Sequence, residues 1–290
     1  MSQSILYLNG EFVPSDQAKV SVLDRGFIFG DGVYEVIPVY GGNLFRFKEH
    51  IKRLENSLIK IRVLPPLSLD KWLNVLTDLI EANGGGDLSV YIQVTRGAAP
   101  RDHAFPHDVQ PTIMAMATPL KPVNSELLSS GVGAITLDDY RWQFCDIKAI
   151  ALLPNILARQ EAIDANAAEA IFIRNGHVTE GSASNVFMVK NRELITPAKS
   201  QYLLPGITRD LVLELAEENH VQCREGDITL EQLEAADEIW LTSSTKEILP
   251  VSKLNGQPVG VGHPGPLWSR LLTLYQDYKR QIRNQDEHAA

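Results

Sequence analysis

Two of the chain's Asn-Gly pairs, Asn9-Gly10 and Asn175-Gly176, each separate two short apolar runs. An Asn-Gly step suits the left-handed backbone of a two-residue turn, so each pair predicts adjacent antiparallel strands. Ile5 to Leu8 with Glu11 to Val13 forms the first hairpin, and residues 169–174 with 177–180 form the second. A third turn, Gly41-Gly42, joins a strand over Tyr34–Tyr40 to Leu44–Phe47. Further strands are expected over 88–95, 111–117, 131–137, 185–190, 193–196, 221–225 and 237–242, and helices near 48–60, 68–82, 153–165, 208–219 and 266–283. Strands and helices mingle without regular βαβ alternation. That pattern predicts an α+β fold and not a doubly wound sheet.

Periodicity gives the inward faces. Ile51, Leu54, Leu58 and Ile61 form one helical stripe, and Leu73, Leu76 and Ile80 a second, which Ser68 caps and Gly84-Gly85-Gly86 ends. Tyr34 and Val36 share one face of their strand. The segment 118–125 carries two prolines and polar residues and reads as a linker, dividing a domain over 1–120 from a larger one over 121–290.

At 290 residues the chain can bury a core without staples. A net charge of −9 argues against nucleic acid or an anionic membrane surface as a partner. Two cysteines, Cys145 and Cys223, lie far apart and offer no metal framework, a usage that suits a reducing cytoplasm. The first ten residues lack a basic segment with an apolar core, so no signal peptide is expected. No apolar run reaches membrane-spanning length. The polar residues from Asn284 to Ala290 are expected to fray.

Several residues could carry chemistry. Lys148 stands between a polar turn and the run Ala149-Ile150-Ala151-Leu152-Leu153. An amine taken out of water loses its preference for charge and can attack a carbonyl; a lysine so placed can equally bury its stem and keep its head in water. Glu180 shares the face of Val178, so it either needs a cation or donor, or simply ends its strand in solvent. Pro205-Gly206-Ile207-Thr208 opens a helix, with Thr208 as a candidate cap and free amides able to hold a phosphate. Thr242-Ser243-Ser244-Thr245 offers four hydroxyls after a buried strand, as phosphate ligands or as turn residues. Arg53 lies off the apolar stripe of its helix, which periodicity reads as solvated, yet arginine is the usual bidentate partner of phosphate or carboxylate. Arg101-Asp102-His103 is either an exposed polar loop or a clamp for an acidic group. The phosphate-binding GxxxxGK[ST] and GxGxxG patterns, HExxH and the GxSxG elbow are all missing, which leaves metalloprotease and serine hydrolase chemistry without a motif.

Eight segments in order carry a resemblance: Asp24-Arg25-Gly26, Phe29-Gly30-Asp31-Gly32-Val33-Tyr34-Glu35, Glu49-His50-Ile51-Lys52-Arg53-Leu54, Val94-Thr95-Arg96-Gly97, Pro100-Arg101-Asp102-His103, Cys145-Asp146-Ile147-Lys148, Thr179-Glu180-Gly181-Ser182 and Gly206-Ile207-Thr208-Arg209-Asp210. In these the chain resembles the fold type IV pyridoxal-phosphate enzymes, and among them those that transaminate D-amino acids. The resemblance implies a small N-terminal α/β domain and a larger, β-barrel-like C-terminal domain with flanking helices. It implies pyridoxal 5'-phosphate as cofactor, with Lys148 bonded to it and moving the substrate proton, and Glu180 against the pyridine nitrogen. Arg53, Ile207, Thr208 and Ser244 would hold the phosphate. Tyr34, Arg101 and His103 would hold the substrate α-carboxylate, the last two from a neighbouring subunit of a homodimer, and Arg141 would support the cofactor or Tyr34. The substrates implied are D-amino acids such as D-alanine or D-glutamate and 2-oxo acids such as 2-oxoglutarate, exchanging by a ping-pong mechanism. Branched-chain L-amino acid transamination and aminodeoxychorismate lysis are the alternatives within the same fold, and Arg101 with His103 favours the D-amino acid reading. Ala183 departs from relatives that often carry serine there.

Overall fold

Asn9 and Gly10 adopt φ of 51° and 104°, and Asn175 and Gly176 adopt 52° and 79°, the left-handed backbone that a two-residue hairpin demands. The computed structural model describes residues 4–284, so residues 285–290 of the segment expected to fray lie outside the described residues. The described residues divide into two compact units. The first takes those up to Lys121, then Ile147–Ala151, then those from Lys279; the second takes Pro122–Asp146 and Leu152–Tyr278. The chain therefore returns twice to the first unit, which two consecutive blocks do not describe.

In the first unit β1 (Ile5–Leu8) pairs with β2 (Glu11–Pro14). A short helix α1 (Arg25–Phe29) follows, and then β3 (Gly32–Tyr40) and β4 (Asn43–Leu44). Leu44 to Phe47 does not continue as a strand: Arg46 takes a left-handed φ of 47° and the helix α2 (Phe47–Lys60) begins. Helix α3 (Leu69–Ala82), β5 (Leu88–Thr95) and β6 (Thr112–Pro119) complete the unit in an antiparallel sheet ordered β2-β1-β6-β5-β3-β4. Ser68 caps α3 by accepting from the Lys71 amide, a contact worth about 1 kcal/mol. The inner stripe of α3 is Trp72, Leu76, Leu79 and Ile80, whereas Leu73 is 44% exposed and faces out. The indole has the larger apolar surface to hide, so the helix turns Trp72 inward. These residues pack with Ile51, Leu54 and Leu58 of α2 against Val33, Ile37, Val90, Ile92 and Val94 of the sheet.

The second unit opens with α4 (Ser125–Ser130), which Asn124 caps within the stretch expected to be only linker. It continues with β7 (Val132–Asp138), α5 (Leu153–Asp164), β8 (Glu169–Arg174), β9 (His177–Gly181), β10 (Asn185–Lys190) and β11 (Glu193–Thr196). Then come α6 (Ile207–Glu218), β12 (Cys223–Glu225), α7 (Leu230–Glu234), β13 (Glu238–Ser243), β14 (Glu247–Leu254) and β15 (Gln257–Pro258). Helix α8 (Pro266–Arg283) ends the described fold. The mixed sheet runs β12-β11-β10-β13-β14-β7-β8-β9, and β9 lies beside β10, so six of its strands curl into a barrel-like wall. Its buried layer includes Ile171, Val186, Ile239, Leu241, Leu249 and Val251. Strand β14 carries no sequence signal because Pro250 interrupts it. The structure accommodates that proline because pairing with β7 begins only at Val251, past the missing N–H. Eight helices stand among the described residues, and none is long and apolar enough to cross a membrane.

Candidate active site

Tyr34, Arg53, Arg101, His103 and Lys148 lie in the first unit; Glu180, Ile207, Thr208 and Ser244 lie in the second. In the first unit the segment Ile147–Ala151 is sewn onto the start of β3. The Tyr34 amide donates to the Lys148 carbonyl at 2.9 Å, and the Ile150 amide to the Gly32 carbonyl at 3.1 Å. The Lys148 amide donates to Ser57 Oγ of α2 at 3.2 Å. This backbone grip fixes the half-buried Lys148, whose Nζ stands 4.1 Å from the centroid of the Tyr34 ring. Tyr34 stacks on Tyr91 at 5.6 Å, and Tyr91 donates to Gln93 Oε1 at 2.7 Å. Burial, reinforced by Tyr34, pushes the Tyr91 phenol up to about 12. The sheet face of Tyr34 and Val36 thus places the Lys148 amine over one ring of a stacked pair.

The opposite face of β3 carries Glu35, which is fully buried. Arg53 donates to it twice, from Nε at 2.7 Å and Nη2 at 2.9 Å, and His50 Nδ1 lies 2.8 Å away. Arg53 is therefore only 7% exposed, against the solvated reading of its helix face: a buried carboxylate, invisible to periodicity, draws it in. Burial alone would raise the Glu35 pKa, but the charge and hydrogen bonds of Arg53 and His50 outweigh it and hold the carboxyl well below the usual range. Burial, the largest influence on His50, lowers its pKa despite Glu35. Both shifts are depressions, so both contribute stability that is present at neutral pH and lost on acidification. The His50 part declines below about 6.5 and the Glu35 part below about 4.3, the unfolded values. Glu35→Gln strands part of a buried ion pair and is expected to cost roughly 3–5 kcal/mol. Denaturant titration from pH 8 to 3 checks this: the deficit against the parent should shrink below about pH 4.

Arg101 and His103 are exposed on the loop between β5 and β6. The Arg101 guanidinium lies 5.4 Å from the Phe29 ring centroid, and the His103 ring packs 5.5 Å from the same ring.

In the second unit Glu180 sits within β9 and is 6% exposed, so the strand does not end in solvent there. Arg141 Nη1 donates to its Oε1 at 2.5 Å, and the Leu204 amide to its Oε2 at 2.9 Å. Arg141 also binds Asp139 through Nε at 2.9 Å and Nη2 at 3.0 Å. Burial alone would lower the Arg141 pKa; the Asp139 hydrogen bond and the Glu180 charge more than offset it, so the guanidinium stays charged. Asp139, the anchor of Arg141, carries no sequence signal.

Helix α6 begins at Ile207, with Gly206 as its N-cap and no side-chain cap. Thr208 is thus not the cap that the sequence suggests. It lies inside the first turn, and its hydroxyl is buried without a hydrogen-bond partner among the described residues. The Thr242 hydroxyl is in the same condition. Asn185 links the two places: it pairs with Thr242 across β10 and β13, and its Oδ1 would stand 1.9 Å from a Cβ on Gly206. Only glycine lets the turn approach so closely. An uncapped helix start with two buried, unpartnered hydroxyls nearby suits a phosphate, since the first-turn amides point outward and the helix dipole favours an anion. Ser244 is half-buried in the turn after β13. Ser182 and Ser184 both donate to the buried Glu169, while Ala183 between them is exposed.

The family model for amino-transferase class IV matches residues 32–254. A D-alanine aminotransferase of Bacillus licheniformis is 42% identical over 269 residues, 93% of this chain and 95% of that protein. One from Staphylococcus haemolyticus is 39% identical over 275 residues, 94% and 97% of the two chains. Among solved structures, a T.th. branched-chain amino acid aminotransferase with pyridoxamine 5'-phosphate superimposes with a TM-score of 0.91 at 28% identity, covering 96% of this chain and 95% of that one.

Proposed function

The chain belongs to the class IV aminotransferases, and from that premise we propose that it exchanges the amino group of a D-amino acid, such as D-alanine or D-glutamate, with a 2-oxo acid such as 2-oxoglutarate. The observation that carries the substrate class is the 42% identity with a D-alanine aminotransferase along 93% of the chain. The solved branched-chain relative stands at 28%. The cofactor is pyridoxal 5'-phosphate, which supplies an electron sink for negative charge at substrate Cα.

The residues fit that group. The amides of Ile207 and Thr208, the Thr208 hydroxyl and Ser244 would hold its phosphate together with Arg53. Glu180 would keep a proton on the pyridine nitrogen, and Arg141 orients that carboxylate from behind. Lys148 would bond to the cofactor and, once released by substrate, take the proton from Cα. Its Nζ lies 4.1 Å from the centroid of the Tyr34 ring. Tyr34, Arg101 and His103 would hold the α-carboxylate through charge-assisted hydrogen bonds.

A homodimer with shared sites accounts for the surface of the single chain. Leu153, Ile156 and Leu157 of α5 are 66%, 60% and 51% exposed, and Phe27 of α1 is 79% exposed, apolar side chains that a partner subunit would cover. Arg101 and His103 are exposed and ready to serve a neighbour. The two free thiols, Cys145 and Cys223, fit a cytoplasmic setting.

Steady-state assays with 2-oxoglutarate as acceptor test the substrate class. D-alanine is expected to give kcat/KM at least about 100-fold above L-alanine or L-leucine, a discrimination of about 2.7 kcal/mol. Equal or faster turnover of L-leucine would transfer the protein to the branched-chain reading.

A further inference from the structure

The motif around Asp24-Arg25 and Asp31 carries much of the family likeness but has no part in the site above. Its place in the fold suggests one. Asp24 caps α1 by accepting from the Gly26 amide at 2.8 Å, and it accepts from Thr95 Oγ1 at 3.0 Å and Thr112 Oγ1 at 2.6 Å. Those bonds pin α1 to β5 and β6. Arg25, the next residue, is 4% exposed and turns beneath the loop that bears Arg101 and His103. Its Nη1 donates to the Asp102 carbonyl at 2.5 Å and the Ala104 carbonyl at 3.3 Å, and its Nη2 to the His103 carbonyl at 3.5 Å. One guanidinium thus gathers three consecutive carbonyls.

Asp31 pairs with that guanidinium. Its Oδ2 accepts from Arg25 Nε at 2.8 Å and from Arg96 Nε at 2.8 Å, and its Oδ1 from Arg96 Nη2 at 3.0 Å. Arg96 in turn lies 3.7 Å from the centroid of the Phe105 ring, at the far end of the same loop, and donates to the Ile61 carbonyl at 2.7 Å. Phe29, at the end of α1, is the shelf on which both Arg101 and His103 rest. A surface loop of polar residues would ordinarily sample many conformations. This one is held from below by two arginines that share one carboxylate.

We propose that Arg25, Asp31 and Arg96 are positioning residues for substrate binding: they fix the 101–105 loop so that Arg101 and His103 are presented to the substrate carboxylate in one arrangement. The inference rests on the reading that Arg101 and His103 bind that carboxylate. Misplacing a binding group by about 1 Å can cost on the order of 100-fold. The platform grips the loop through three backbone carbonyls and the Phe105 ring, so the effect is expected on substrate binding and not on the cofactor's phosphate.

The test uses the cofactor-loaded enzyme with D-alanine and 2-oxoglutarate. The variants compared with the parent are Asp31→Asn, Arg25→Lys, Arg25→Gln, Phe29→Leu and Arg101→Ala. For each, kcat, KM for D-alanine, the cofactor dissociation constant from absorbance titration, and Tm are measured. Asp31→Asn is expected to raise KM by about 10- to 100-fold with cofactor affinity within about threefold of the parent. Arg25→Lys keeps the charge and should recover part of the loss seen in Arg25→Gln. Phe29→Leu leaves the ion network whole and should raise KM by roughly 3- to 10-fold, so the proposal stays testable if Asp31→Asn does not fold. A rise in KM for Arg101→Ala, with none for Asp31→Asn or Phe29→Leu, would overturn the positioning role while keeping the carboxylate reading. No change for Arg101→Ala would overturn the carboxylate reading and the inference with it. A parallel fall in cofactor affinity and Tm across the platform variants would mark a purely structural cluster and overturn the proposal.

Discussion

Lys148→Ala is expected to lower turnover of D-alanine by about 10⁴-fold or more, because it removes the amine proposed for both a covalent and a proton-transfer role. The fold should survive. The segment is held by its backbone, through the Tyr34 and Ile150 amides and the Lys148 amide on Ser57, none of which involves the lysine side chain. Lys148→Arg separates charge from chemistry. A guanidinium can still sit over the Tyr34 ring, but it does not give up its proton and does not bond to an aldehyde as an amine does. It should therefore be as inactive as the alanine variant. Steady-state assays with D-alanine and 2-oxoglutarate check both, and more than about one per cent of parental kcat in either would contradict the assignment.

Glu180→Gln should lower kcat by roughly 10²- to 10³-fold, the usual loss when a fixed charge facing a developing charge is removed. Both carboxylate oxygens are in use, one on Arg141 and one on the Leu204 amide. The glutamine can satisfy one of these donors with its carbonyl and then turns its own NH2 toward the other. Arg141 keeps Asp139, so the guanidinium is not left unpaired and the unit should remain folded. The loss should appear in kcat more than in KM, since a substrate carboxylate does not depend on this group. The measurement is kcat and KM together with the visible spectrum of the bound cofactor. A kcat within about threefold of the parent would show that the ring nitrogen does not rely on Glu180.

Residues whose role is set locally can be read from the sequence. The Asn-Gly turns are legible because only a few residue types tolerate φ above zero, and the cap at Ser68 because an oxygen two or three residues from a free amide acts locally. Arg53, by contrast, depends on Glu35, which approaches from another element, so its helix alone points it to solvent. Thr208 reads as a cap in the sequence because nothing there shows Gly206 packed on Asn185, which moves the cap two residues earlier. Pro250 hides β14 because nothing local says that β7 begins pairing one residue later. Asp139 becomes visible only when strands distant in sequence lie side by side, and the same pairing singles out Thr242 from the four hydroxyls at 242–245. The groups proposed to react, Lys148 and Glu180, are named by resemblance more than by spacing; the ring under the one and the arginine behind the other come from the fold.

Borohydride treatment of the cofactor-loaded enzyme, followed by peptide mass mapping, tests the central assignment most directly. Lys246 is the natural rival, since burial lowers its pKa and leaves a second lysine partly shielded from water. The account predicts the added mass of the reduced cofactor on the peptide that contains Lys148, and none after D-alanine has first converted the cofactor to its amine form. Label on Lys246, or on no lysine at all, would contradict it.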